Sequence, residues 1–271
     1  MSLLPDLVYG FAWGDALGAE FESKSPSIEQ IHERLDGDSV LSYTDDTKLL
    51  LSTVHALKKH HRSLDQDFDQ TFWAGMRAEA NQSLLEWYCS GDLRGMGKAT
   101  QVALRQLKDH ADRGLSLDAF ELQFDDYPYD TSAGNGVLAR ALPLLALGFE
   151  VDACLIDFLS TTHLHSDGLD TVRDLDTYLR TGELRKDLPW TTGQGFYAPE
   201  TLKIAVDAIK NGKGYQHAFE LTQVSEGSND STAALALGLW FFKRGRGATT
   251  NALTQRLQRG DQTELETVLN G

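Results

Sequence analysis

Apolar residues recur every three or four positions along most of this chain, a spacing typical of amphipathic helices. Alternating patterns typical of strands are scarce, and Gly148 and Gly212 stand where helix C-terminal caps belong. We therefore predict an all-α fold, one compact helical domain over residues 1–271. Helices are predicted at the start of the chain and in the segments 50–57, 68–76, 95–109, 135–147, 151–162, 199–210, 214–224, 230–243 and 249–269.

Charge and cysteine content exclude several classes of function. The net charge is -15, whereas proteins that bind duplex nucleic acid or anionic membranes normally present a basic surface. No apolar run reaches the length of a membrane span, and the N-terminal segment lacks the basic start of a signal peptide. Cys89 and Cys154 are far apart, so we expect a reducing cytoplasmic setting and a monomer without disulfides.

The loops between the predicted helices are rich in glycine and oxygen-bearing side chains. Several of them open a helix, which suits a site built from loop ends on a rigid helical scaffold. These loops are "GDALGAEFES" (14–23), "SYTDDT" (42–47), "TSAGNG" (131–136), "THLHSDG" (162–168), "TTGQGFYAPE" (191–200) and "SEGSNDST" (225–232).

The stretch "TDDT" allows two interpretations. Thr44 at a helix start would be an N-cap, and Asp45 and Asp46 would favour the positive end of the helix dipole. Capping needs one oxygen, however, and four oxygen-bearing side chains stand in a row. Mg²⁺ takes oxygen ligands and Mn²⁺ favours them, so the same residues could form a metal site that also relieves the repulsion between the two acids.

Two further stretches repeat this ambiguity. The segment from Ser228 to Thr232 places Asp230 before another apolar run, as an N-cap or as part of one oxygen-lined site with a lone Glu22. The segment "SAGNG" allows close backbone approach at Gly134 and Gly136, and exposed N–H groups at a helix start bind phosphate. Its alternative is a tight turn.

Five motifs in order resemble the ADP-ribosylglycohydrolase family, whose members are similar to dinitrogenase reductase-activating glycohydrolase. The resemblance covers nearly the whole chain. It rests on "GDALGAEFE", "YTDDT", "GNGVLARALPL", "THLH" and "TGQGFYAPETLKIA".

The resemblance implies a roughly orthogonal all-helical bundle with two Mg²⁺ or Mn²⁺ ions in a cleft. It implies hydrolysis of the C1″ glycosidic bond of an ADP-ribosylated protein side chain or small molecule, with Glu22 or a ligand aspartate steering proton transfer. Transferred to this chain, the metal ligands are Thr44, Asp45, Asp46, Asp230, Ser231 and Ser228. The catalytic set is Glu22, Asp45 and Asp46, and the substrate-binding set is Ser132, Gly134, Asn135, Gly136 and His163.

Phe196 and Tyr197 lie in a glycine-containing loop and are candidates for stacking on adenine, although core packing is an equal alternative. His163 and His165 are two residues apart, which suits a loop better than one helix face.

The last family motif departs from its usual form. It normally reads Gly-Asp-x-Asp-Thr, whereas this chain has Ser228 in place of the first aspartate and Ser231 in place of the threonine. A neutral ligand replaces an anionic one, so we expect at least one metal position to be weakened, with the carbonyl of Asn229 as a partial substitute. The alternatives are therefore an active hydrolase, a degenerate protein that binds ADP-ribose or a nucleotide, and a protein-binding role such as blocking an ADP-ribosyltransferase.

Overall fold

The computed structural model describes residues 4–60, 68–124, 127, 133–185, 193–247 and 250–270. Regular structure in these segments is helical, and the β-type pairings there are two isolated bridges, Leu41 with Leu257 and Gly134 with Tyr197. The predicted all-α fold is confirmed. No helix in the described segments is long and apolar enough to cross a membrane.

The helices follow one another in chain order, with 3-10 turns at Ala19–Phe21 and Leu117–Ala119. They are α1 (Leu4–Gly18), α2 (Ile28–Asp36), α3 (Asp45–His60), α4 (Gln70–Ser90), α5 (Lys98–Asp112), α6 (Gly136–Ala146), α7 (Ala153–Leu159), α8 (Ser166–Thr181), α9 (Ala198–Asn211), α10 (Tyr215–Thr222), α11 (Asn229–Arg244), α12 (Thr250–Arg256) and α13 (Arg259–Asn270).

Three elements differ from the prediction. The helices α2 and α8 were not predicted, although α8 buries Val172 and Leu175 at helical spacing. The segment 249–269 was predicted as one helix, but α12 and α13 divide it. The division occurs where Leu41 donates its N–H to the carbonyl of Arg256 (2.7 Å) and accepts from the N–H of Gln258 (2.7 Å). These long-range bonds replace the helical ones.

Glycines on one face of α1 let this helix pack directly on the backbone of α11. A Cβ added to Gly14 would lie 2.2 Å from the carbonyl oxygen of Ala233. Cβ atoms added to Gly10 and Gly18 would lie 2.6 Å and 2.3 Å from other backbone carbonyl oxygens of α11. Real side-chain carbons do not come this close to a backbone oxygen, so only glycine fits. The contact places the end of α1 beside the start of α11.

The centre of the fold is α11, which is buried from Asn229 to Phe241, and α6, which is buried from Gly136 to Leu145. Helices buried on all sides belong to the interior of a protein. Helices α1 and α3 pack against both of them, and the first residues of α3, α5, α6 and α11 line one cleft.

Candidate active site

The cleft encloses about 290 Å³, at the lower end of the volumes usual for small-molecule sites. Four carboxylates line it: Glu22, Asp45, Asp46 and Asp230. The turn before α6, the residues before α5 and His163 also contribute to the lining. The structure therefore brings together the acidic clusters that the sequence left separate.

Asp15 on α1 is a functional residue that sequence reasoning missed. Its side chain is fully buried and accepts bonds from Thr44 N (3.0 Å), Thr44 Oγ1 (2.8 Å), Thr47 N (3.0 Å) and Thr47 Oγ1 (2.6 Å). The cap of α3 is therefore Asp15 from another helix, and the N-cap interpretation of Thr44 is wrong. Asp15 is the aspartate of "GDALG", a motif that carried the signal. By holding the start of α3, it sets the positions of Asp45 and Asp46.

The start of α11 binds the acidic residues from two directions. Ser231 donates its hydroxyl to Asp46 Oδ2 at 2.5 Å and its N–H to Asp230 Oδ1 at 2.7 Å. The N–H of Asn229 donates to Glu22 Oε2 at 3.0 Å. These bonds join α3, α11 and the segment after α1. We call the four carboxylates they bring together, Glu22, Asp45, Asp46 and Asp230, the acidic wall.

Ser228 lies at the junction of the acidic wall and the turn before α6. Its hydroxyl accepts from Asn135 Nδ2 (3.0 Å) and lies within donor distance of Ser231 Oγ (3.0 Å) and Asp230 Oδ1 (3.3 Å). A chain of hydrogen bonds thus runs from Asn135 through both serines to Asp46. An aspartate at position 228 would break this chain, because a carboxylate has no proton to donate to Ser231.

Asn229 does not supply the oxygen that the sequence suggested. Its Oδ1 accepts from the N–H of Val224 (2.8 Å), and its Nδ2 donates to the carbonyl of Phe21 (2.8 Å). The side chain is fully buried and ties the loop before α11 to the end of α1. The idea that Asn229 compensates for Ser228 is wrong for this geometry.

The carboxylates raise one another's pKa. Desolvation and, second, repulsion from a neighbouring aspartate raise the pKa of Asp15 and Asp45 to about 7 and that of Glu22 to about 9, and they raise the pKa of Asp46 well above its usual value. No ion pair with a basic residue neutralises these groups within the described part of the chain. An uncompensated acidic cluster of this kind attracts cations.

The oxygen atoms at the acidic wall are of the kind that a hard divalent cation prefers, because they belong to carboxylates and to neighbouring hydroxyl groups. Among the residues that the structure describes, however, no three Asp, Glu, His or Cys side chains converge closely enough to hold an ion. Two carboxylates with hydroxyls and water are the available ligands. Mg²⁺ is commonly held in this way, by one or two carboxylates and several waters.

The cleft is also lined by the turn Gly134–Asn135 and by Gly136, the first residue of α6. A Cβ on Gly136 would lie 2.7 Å from the side chain of Leu49 and 3.0 Å from Nε2 of His163. A side chain at this position would have to displace Leu49 and would crowd His163, and Asn135, the N-cap residue, forms no side-chain bond to the first N–H groups of α6. The predicted substrate residue Ser132 lies outside the described residues.

The histidine and aromatic candidates fall in different places. His163 is buried and lines the cleft, and burial together with Arg140 lowers its pKa to about 3, so it is neutral. Phe196 is 44% exposed at the cleft. Tyr197 is not among the residues that line this cleft, and its hydroxyl donates to Asp167. His165 Nδ1 accepts from the N–H of Asp167 and caps α8.

The sequence reasoning also missed the stretch "RGMGKAT" (94–100), which leads into the first turn of α5. Gly95 and Gly97 line the cleft, and a Cβ on Gly95 would lie 2.5 Å from Oδ1 of Asp45. Gly97 is the N-cap of α5 and offers no side chain, and the first residues of α5 also line the cleft. Lys98 is the one basic side chain, apart from His163, among the described lining residues. The two glycines at the start of a predicted helix were the sequence signal that could have identified this part of the site.

The fold and the site define an all-helical protein with an acidic cleft at the starts of its helices. The sequence profile of the ADP-ribosylglycohydrolase family matches residues 6–172, and the chain belongs to this family. The match includes Glu22, the "TDDT" stretch and His163, and it ends before Ser228 and Ser231.

A solved structure, "ADP-ribosylglycohydrolase-related protein complex", is similar over 99% of this chain and 97% of its own, with 23% identity and a TM-score of 0.63. This similarity shows that the fold is shared along the chain. A comparison with curated proteins finds no match.

Proposed function

We propose that this protein is a divalent-cation-dependent hydrolase that removes ADP-ribose from a protein side chain or a small molecule by cleaving the C1″ glycosidic bond. The family supports hydrolysis of ADP-ribose linkages in general. The observation that carries the finer proposal is the acidic wall, for which no ion pair with a basic residue is described and which lines the same cleft as Gly136, the first residue of α6.

The candidate ligands are oxygens of Thr44, Asp45, Asp46, Asp230, Ser231 and Ser228, of which two carboxylates would hold a cation together with hydroxyls and water. When bound, such an ion orients ribose hydroxyls and lowers the pKa of a water. Asp15 keeps Thr44 and the first turn of α3 in place. Ser231 bridges α11 to Asp46 and so holds the two halves of the ligand set together.

Glu22 is the residue we propose for proton transfer. Cleavage of a glycosidic bond passes through an oxocarbenium-like state, and a carboxyl group with a raised pKa serves as general acid or base there. Burial and the charge of Asp230 raise the pKa of Glu22 to about 9. The N–H groups of Asn229 and Asp230 donate to this carboxyl group, which also forms a hydrogen bond with the side chain of Asp230. The proton in that bond is the one we propose for transfer.

The part of the cleft around the start of α6 would bind the substrate. The first N–H groups of α6 suit the diphosphate because helix N-termini attract anions. Asn135 and His163 offer polar contacts for ribose, and the exposed ring of Phe196 offers a face for adenine.

The test is a hydrolysis assay with Mg²⁺ or Mn²⁺ on ADP-ribosyl-arginine, ADP-ribosyl-serine and O-acetyl-ADP-ribose, read as released ADP-ribose. We expect release from at least one substrate, loss of release with EDTA, and loss in Asp46→Asn. Asp69→Ala is the matched control, since Asp69 caps α4 outside the cleft. A folded protein that releases ADP-ribose from none of the three would overturn these substrate assignments.

A second candidate is a protein that binds ADP-ribose or a nucleotide without turnover. Ser228 favours it, together with the lack of three converging acidic or imidazole ligands in the described structure. Losing interactions that strengthen in the transition state abolishes turnover and can leave ground-state binding intact. Calorimetry and the hydrolysis assay together decide between the two, since tight ADP-ribose binding without hydrolysis supports the binder. Activity gained in Ser228→Asp would then identify this binder as a degenerate hydrolase.

A further inference from the structure

Arg140 on α6 is a cation in the core, beside the cleft but not in it. Its side chain is fully buried, its Cζ lies 4.6 Å from the ring centroid of Phe158, and burial lowers its pKa to about 9, so it is still charged at neutral pH. Nε and Nη2 have no hydrogen-bond partner in the described structure. A buried charge costs free energy unless it is hydrogen-bonded, so the bonds of Nη1 have to stabilise this cation.

Nη1 of Arg140 donates to the loop that carries His163. It lies 2.8 Å from Thr161 Oγ1 and 2.6 Å from Thr162 Oγ1. Because a guanidinium has only donors, both hydroxyl oxygens act as acceptors here, and each hydroxyl proton is free to be donated elsewhere. Thr161 gives its proton to the carbonyl of Phe158 at 3.0 Å.

The hydroxyl of Thr162 has two acceptors within reach. Nδ1 of His163 lies at 2.8 Å, whereas the carbonyl oxygen of Leu159 lies at 3.4 Å. The shorter distance is near the optimum for a hydrogen bond and the longer one is well beyond it. The proton of Thr162 therefore goes to Nδ1, and Nδ1 carries no proton of its own.

We propose that Arg140 and Thr162 form a relay that fixes His163 in the tautomer protonated at Nε2. A neutral imidazole has one donor and one acceptor nitrogen, and the bond made by one determines the other. Nε2 lies beside Gly136, where a Cβ would approach it to 3.0 Å, and His163 lines the cleft. The relay therefore presents an N–H donor to the cleft.

The identity of the group that this N–H binds rests on the proposed function. We expect the Nε2 proton to be accepted by an oxygen of ADP-ribose, on the ribose or the diphosphate. The tautomer matters because His163 does not take up a proton near neutral pH, with its pKa lowered to about 3 by burial and by Arg140. Arg140 and Thr162 are positioning residues, since in the described structure they act on the cleft through His163.

The tautomer is read directly in a long-range ¹H–¹⁵N correlation spectrum of protein labelled at histidine, with the His163 signals assigned by their loss in His163→Gln. We expect Nε2–H in the wild type and a shift toward Nδ1–H in Thr162→Val, restored in Thr162→Ser. Thr161→Val is the matched control, because Thr161 binds the same Arg140 nitrogen but no bond to His163 is described. A wild-type spectrum of the Nδ1–H tautomer overturns the relay, and so does an equal shift in both valine variants.

Calorimetric titration with ADP-ribose tests the ligand. Loss of one hydrogen bond weakens binding about fivefold to tenfold, and we expect this in Thr162→Val but not in Thr161→Val. Unchanged affinity with a shifted tautomer overturns the ligand assignment. A wild type that does not bind ADP-ribose at all contradicts the proposed function, whereas the spectrum still decides the relay. If Thr162→Val does not fold, the wild-type and Thr162→Ser spectra decide it.

Discussion

Replacing Asp15 by alanine should destabilise the protein far more than replacing an ordinary helix cap. Asp15 binds both donors of Thr47, which is fully buried, and both donors of Thr44, which is half-buried and can rehydrate. An unsatisfied buried donor costs about 1–3 kcal/mol, so the two donors of Thr47 together predict a loss of about 2–6 kcal/mol. Removing one charge from the acidic cluster offsets a part of this loss.

The control for that measurement is Asp69→Ala. Asp69 directly precedes α4 and caps it by accepting one exposed hydrogen bond, from the N–H of Phe72 at 2.9 Å. Losing such a cap costs about 1 kcal/mol. Urea unfolding followed by far-UV circular dichroism gives both free energies. If Asp15→Ala loses no more stability than Asp69→Ala, the claim that Asp15 organises the start of α3 is refuted.

Three other outcomes are expected. The pKa values of Asp15 and Glu22 are raised from about 4 in the unfolded chain to about 7 and 9, so the folded state binds more protons and the free energy of unfolding falls as pH rises from 4 to 9. Mg²⁺ should reverse this loss, with a larger rise in melting temperature at pH 9 than at pH 5; equal rises contradict it. Gly14→Ala should lower the free energy of urea unfolding by about 1–3 kcal/mol, because the added methyl group overpacks the contact between α1 and α11. Gly168→Ala is the control, because its Cβ would lie 3.5 Å from its nearest neighbour. Equal effects of the two substitutions would contradict the close packing of α1. Phe196→Ala should weaken ADP-ribose binding in calorimetry about tenfold at unchanged stability, and unchanged affinity contradicts stacking.

The helical elements were largely predictable because burial of one face imposes a period that the sequence displays. The acidic side chains were also identifiable, since their residue types and the glycines beside them are local features. The break at Leu257 was not predictable, because its cause is a pair of bonds to Leu41, more than two hundred residues away. Local patterns carry no record of such bonds.

The missed and misread site residues share this cause. Asp15 reads as one polar residue in an apolar helix, and only the packing of α1 against α3 makes it the cap of another helix. Asn229 reads as a free ligand, yet its amide is used by the backbone of Val224 and Phe21. In both cases the hydrogen-bond partners come from distant parts of the chain.

Binding of a divalent cation at the acidic wall is tested most directly by a crystal structure grown with Mn²⁺, in which anomalous scattering locates the metal. We expect at least one manganese ion bound by oxygens of Asp45, Asp46 or Asp230, where the carboxylates repel one another. Saturating Mn²⁺ with no anomalous peak in the cleft would contradict it.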